Sequence, residues 1–264
     1  IMRDRILAIA ELTFRKLKDP AFFLLFVFAA FAAYAMSEME ALSFQKENLI
    51  LAELISSGSG SPPLTSFLFI TCMTLLLGIF AGATDIPRDI ESRMITVLLG
   101  KPIRRVEYLL GKYFGVCLIC VSFFIVAAIS ANAGHIIKTG HLYPIASITR
   151  QFLLIFSIFP FVAMTMMFSC FFNDITAMII SSVYLIFSLF LSIIPLLVEM
   201  LPKSISITTY LYFIYYVVPN FLYYFLTYRI AGLISISLII YSLSISVIFL
   251  TIASSRINSR DMHA

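Results

Sequence analysis

Charge is scarce in this chain. Asp, Glu, Lys and Arg make up 12% of its 264 residues, about half the share of a soluble domain, while apolar residues make up 61% and mean hydropathy is +1.02. Too few polar groups remain to cover a water-soluble surface, so the composition indicates an integral membrane protein. Cysteine is scarce as well: Cys72, Cys117, Cys120 and Cys170 all fall inside apolar runs, which excludes a disulfide framework. Cys117-x-x-Cys120 has no second ligand pair, so packing is a better reading of it than a metal centre. No phosphate loop of the form Gly-x-x-x-x-Gly-Lys-Ser/Thr is present, since neither Gly100-Lys101 nor Gly111-Lys112 completes one. Ionisable groups are almost missing from the apolar runs themselves, and Asp174 and Glu199 fall at their edges. That argues against an ion-coupled carrier, which keeps such groups at mid-membrane. No cluster of His, Asp, Glu or Ser has catalytic spacing, which argues against an enzyme.

What is abundant is uninterrupted apolar sequence. A helix needs about 20 apolar residues to cross a bilayer, and six charge-poor runs qualify, over residues 20–36, 66–83, 113–132, 151–172, 175–198 and 232–253. They are continuously apolar rather than alternating, which favours an all-α integral membrane fold over a closed barrel. Asn173-Asp174 reads as a tight turn between the fourth and fifth runs. With the N-terminus inside, 13 of the 18 Lys and Arg residues fall on the cytoplasmic side, which places both termini there. Residues 205–228 are uncharged and long enough to add a seventh span. Their seven tyrosines and the Pro219-Asn220 break instead suit an external, aromatic re-entrant segment over 200–230 with short helices. Residues 1–19 carry Ile6, Ile9, Ala10, Thr13 and Leu17 on one stripe, the pattern of a helix lying on the cytoplasmic membrane surface. Basic residues before an apolar run and Ala33-Tyr34-Ala35 also fit a signal peptide, but an uncleaved first span is the better reading.

Residues 84–112 break the pattern, holding ten of the chain's 32 charged side chains between two apolar runs. Each central charge costs about 2.5 to 3.5 kcal/mol to place in the hydrocarbon, so this segment is expected in the cytoplasm. Asp85 reads as a helix cap and Pro87 as a first-turn residue. Ile86, Ile90, Met94, Val97 and Leu98 then share one stripe of an amphipathic helix. Gly100-Lys101-Pro102 ends that helix, and a second begins near Ile103. On pattern alone, a plain surface helix that snorkels its charges fits equally well.

The stretch "IPRDIESRMITVLLGKPIRRVEYLLGKYFGV", residues 86–116, resembles the loop between the second and third spans of type-2 ATP-binding cassette (ABC) exporter permeases. Glu91, Thr96 to Leu99, Pro102 to Arg105 and Leu109 to Lys112 carry the match, and Ile95 stands where many relatives have glycine. "YYVVPNFLYYF", residues 215–225, resembles the Pro-Asn stretch of the branch that includes copper-enzyme maturation and gliding-associated transporters. The resemblance implies a six-span permease in a bacterial plasma (inner) membrane, with residues 85–107 as the coupling segment. It further implies that Asp85, Arg88, Glu91, Arg93, Thr96, Leu99, Lys101, Pro102, Arg104 and Arg105 face a cytoplasmic ATPase dimer. ATP and Mg would be held by that partner and no cofactor by this chain, and a second permease copy, identical or related, would complete the assembly. A membrane scaffold or channel-like protein without energy input is the alternative. Nothing in the sequence points to nucleic acid.

The remaining features say less about cargo. Ser235, Ser242 and Ser246 share one face of the last run and read as close packing rather than a translocation lining. Met164, Met166 and Met167 read as core rather than soft-metal ligands, and His135 and His141 as loop residues. The external loop 37–65 ends in a flexible "SSGSGSPP" and could contact a partner outside the membrane.

Overall fold

A computed structural model describes residues 2–15, 20–46, 64–91, 104–140, 142, 145–191 and 233–259. Among them all regular structure is helical: α1 (Met2–Phe14), α2 (Pro20–Lys46), α3 (Leu64–Glu91), α4 (Arg105–Thr139), α5 (Ile145–Phe171), α6 (Asp174–Leu191) and α7 (Leu233–Ser259). Four are long and apolar enough to cross a membrane, over 66–90 in α3, 105–139 in α4, 151–171 in α5 and 236–257 in α7. Shorter apolar segments, Leu24–Glu38 in α2 and Asp174–Ser188 in α6, fall on the first and fifth runs expected to span. The aromatic stretch around Pro219 and Asn220 lies outside the described residues.

The helices α4 and α5 form the centre. Helix α4 packs on α1, α2, α3, α5 and α7, and α5 packs on α3, α6 and α7 as well. Their shared core joins Val116, Cys117, Cys120 and Phe124 of α4 to Ile158, Val162 and Met166 of α5, with Phe67 and Ile70 of α3 and Leu238 and Ala253 of α7 around them. The Cys117 and Cys120 side chains are therefore packing groups, and Met164 and Met166 are likewise buried.

Only Phe172 and Asn173 separate α5 from α6, and the Ala177 N–H returns to the Asn173 carbonyl at 2.8 Å. At the far end of α4, Gly140 adopts φ 72°, the left-handed cap geometry that glycine tolerates without strain, and its N–H closes on the Ile136 carbonyl at 2.8 Å.

Proline placement explains one contact between spans. Pro160 lies inside α5 and has no N–H, so the Phe156 carbonyl one turn earlier loses its intrahelical donor. The buried Ser242 hydroxyl of α7 donates to that carbonyl. In lipid an unpaired carbonyl is costly and a hydroxyl from a neighbouring helix satisfies it. The serine face of α7 is therefore a packing face at this position.

Two expectations need correction. Helix α3 runs without a break through Asp85 and Pro87 to Glu91, so Asp85 is a mid-helix residue rather than a cap and Pro87 is an interior proline. Its apolar window likewise extends to Ile90, so the charges after Ala83 do not end the helix. The stripe of α1 is also turned differently. Ile9, Ala10 and Thr13 are buried against α4, so this face meets protein rather than the membrane surface.

Candidate functional site

Asp85 and Asp89 stand one turn apart on the same face of α3, and Tyr108 and Lys112 stand one turn apart on the facing side of α4. Because α3 and α4 run antiparallel, the two pairs meet. Lys112 Nζ lies 3.1 Å from Asp85 Oδ2 and 2.6 Å from Asp89 Oδ2, and the Tyr108 hydroxyl donates to Asp89 Oδ2 at 2.7 Å. Lys112 and Asp85 are each 1% exposed, and Asp89 and Tyr108 are also buried. A charge taken this far from water is tolerated only when it is paired and hydrogen-bonded, and this ammonium bridges two carboxylates at once.

The same stretch of α4 seats α1. Arg5 Nη1 lies 3.7 Å from Glu107 Oε2, and Glu107 also accepts the Arg104 N–H at 3.3 Å, a first-turn acid reaching back to cap its own helix. One and two turns further, α1 crosses Gly111 and Gly115. A Cβ on Gly111 would fall 2.7 Å from Ile9 Cβ, and one on Gly115 would fall 2.5 Å from Thr13 Cβ. The pairing of residues 5, 9 and 13 with 107, 111 and 115 means that α1 and the start of α4 run side by side in the same direction. Gly111-x-x-x-Gly115 is the small-residue spacing that lets helix backbones touch in a membrane.

Helix α7 reaches the same place. Arg105 Nη1 donates to the Ile257 carbonyl at 2.9 Å, in the last turn of α7, where carbonyls lack intrahelical partners. Residues 104–115 therefore gather α1, α3 and α7 at one end of the bundle. The chain between Glu91 and Arg104 joins the two helices that carry the ion cluster.

The residues expected to face an ATPase divide into three groups. Asp85 is buried in the cluster. Arg88 and Arg104 are exposed and Arg105 is half-buried, holding α7. The Glu91 side chain and Arg93, Thr96, Leu99, Lys101 and Pro102 lie outside the described residues. Of the ten charges in 84–112, Asp85, Asp89, Glu107 and Lys112 are buried, so the expectation that this segment's charges keep it in water does not hold for them. The sequence reading gave no role to Asp89, Glu107, Tyr108, Gly111 or Gly115. Their signals were present as i, i+4 spacings in both helices of the cluster and in the glycine pair, but their partners come from other helices.

A family model described as "ABC-2 family transporter protein" matches residues 19–262. No curated protein matches the chain.

Proposed function

The chain belongs to the ABC-2 family of transporter proteins, and from that membership we propose that it is the transmembrane permease subunit of an ATP-binding cassette exporter. A separate cytoplasmic ATPase holds ATP and Mg and hydrolyses the nucleotide. This chain converts the resulting closure into rocking of two permease copies that moves substrate or transmits force. Both termini and residues 92–103 face the cytoplasm of a bacterial plasma membrane, and Glu91 and Arg93 contact the ATPase.

The observation that supports the reading is the buried Asp85–Asp89–Lys112 cluster between the two helices that residues 92–103 join. A loop that merely connects two helices in water needs no ions sealed between them. A segment that must pass a push into the bundle needs its two flanking helices locked, and with α1 and α7 held by the same turns of α4 a displacement there is shared by four helices. The enzyme in the assembly is the partner, and this chain supplies the moving membrane part.

The test is co-purification of the permease with a phosphate-loop ATPase from its native membrane. Combining Glu91→Arg with Arg93→Glu should release the ATPase while leaving the permease folded. Retention of the ATPase with coupled ATP turnover intact would overturn the assignment.

A further inference from the structure

Helix α5 is held differently on the two sides of Pro160. After the proline, Phe161 and Met164 join Leu75 and Ile79 of α3 in one buried cluster. There α3 presents Gly78 and Gly82, where a Cβ would fall 3.2 Å from Val162 Cγ2 and 3.4 Å from Thr165 Cγ2. Before the proline, the Ser242 hydroxyl of α7 holds the Phe156 carbonyl, and a pair of amides, Asn132 and Gln151, links α5 to α4. This pair lies about 30 Å along α4 from Lys112, where the apolar run of α4 ends and that of α5 begins. Asn132 Nδ2 donates to the Ala128 carbonyl at 2.6 Å and to Gln151 Oε1 at 3.1 Å. The carbonyl fixes which atom of Asn132 is the nitrogen, and that nitrogen in turn fixes the oxygen of Gln151. Two facing amides can make two hydrogen bonds, and these make one. Asn132 Oδ1, an acceptor, and Gln151 Nε2, a donor, are both buried without a hydrogen-bond partner, and Gln151 is 6% exposed.

We infer that α5 bends at Pro160, so that its first half, together with the start of α7, swings away from α4 while residues 161–171 stay on α3. Proline has removed one rung of the helix ladder and crowds the carbonyl four residues earlier, so α5 bends most easily there. The Tyr113 hydroxyl of α4 donates to the Phe159 carbonyl at 3.3 Å, which ties α4 to α5 at the pivot itself. The Ser242 bond joins α7 to the moving half and travels with it. A stranded donor and a stranded acceptor each raise the free energy of the packed arrangement. Separation at the end of the apolar runs lets water reach both atoms. The packed form is therefore opposed from within at the first half of α5 and held by close packing at the second. The hinge rests on helix contacts alone and is independent of any ATPase.

The test uses the full chain in nanodiscs with no ATPase added, spin-labelled by a bioorthogonal reaction at Ile129 of α4 and Phe152 of α5, both exposed. Double electron–electron resonance should give two distance populations. Pro160→Ala restores the missing rung and should leave only the shorter. Asn132→Leu combined with Gln151→Leu removes the stranded atoms without touching the hinge. It should shift the ratio about tenfold toward the shorter distance, the effect of relieving one stranded group. Labels at Phe80 of α3 and at Phe172, just past the end of α5, are also exposed and should report a single distance in all three proteins. A single population between 129 and 152 in the unaltered chain, or a ratio that neither variant changes, would overturn the inference. So would two populations between 80 and 172, since α5 would then move as a rigid rod.

Discussion

At one end of the bundle Lys112 lies within 3.1 Å of two carboxylates and every member of the group is buried. At the other end Lys138 comes no nearer than 3.8 Å to Glu38, with the two side chains 38% and 29% exposed, and Tyr34 donates to the same carboxylate at 2.9 Å. Both ends pair α4 with a neighbouring span, yet only one commits ions to the interior. Close backbone approach, by contrast, occurs at both ends: a Cβ on Gly111 or Gly115 would fall under 3 Å from α1, and one on Gly134 would fall 3.0 Å from the Tyr34 carbonyl of α2. Solvated ions tolerate small movements because water can replace a lost partner. Sealed ions do not, so they fix the relative position of the helices that carry them. The first end fixes its helices against one another by buried ions, and the second, with solvated ions, tolerates their displacement.

Lys112→Met attacks that contrast where it is strongest, leaving Asp85 and Asp89 facing each other without their ammonium. It should destabilise the fold by about 3 to 5 kcal/mol, read as a lower unfolding midpoint in detergent. Adding Asp85→Asn and Asp89→Leu should recover much of the loss, because an uncharged replacement of the whole set removes the stranded charge. Gly115→Val comes next. Its branched side chain would occupy the space of Thr13, at a cost of about 1 to 3 kcal/mol if α1 stays, and it should raise proteolytic release of residues 1–19 if α1 is displaced. Ser242→Ala is expected to cost about 1 kcal/mol in thermal unfolding by stranding the Phe156 carbonyl beside Pro160. Glu38→Gln, at the solvated end, should change stability by about 0.2 to 1 kcal/mol at most. A loss at Glu38 as large as the loss at Lys112 would erase the distinction between the two ends.

The apolar half of this architecture was legible in the sequence because burial in lipid has a one-dimensional signal. Residues 66–83 and 113–132 lie within α3 and α4, and 232–253 lies almost wholly within α7. The charged half was misread for a physical reason. Asp85 and Asp89 look like the end of a span when each charge is counted against water. Their cost is offset by Lys112, which is remote along the chain and arrives only when α3 and α4 pack antiparallel. Pro87 reinforced the mistake by resembling a helix start. The stripe on α1 was read as that of a helix lying on the membrane surface, because periodicity does not say whether a face meets lipid or protein. That answer lay in Gly111 and Gly115, whose spacing becomes meaningful only once a partner helix is known.

The central claim is that the sealed cluster transmits the ATPase's movement into the spans. The most direct measurement is the permease-stimulated ATP turnover of the assembly reconstituted with the triple variant Asp85→Asn, Asp89→Leu, Lys112→Met, whose cluster is uncharged but whose residues 92–103 are untouched. The account predicts that the ATPase still binds and that stimulation falls about tenfold or more, the effect of roughly 1.4 kcal/mol lost in coupling. Undiminished stimulation with the cluster dissolved would contradict it.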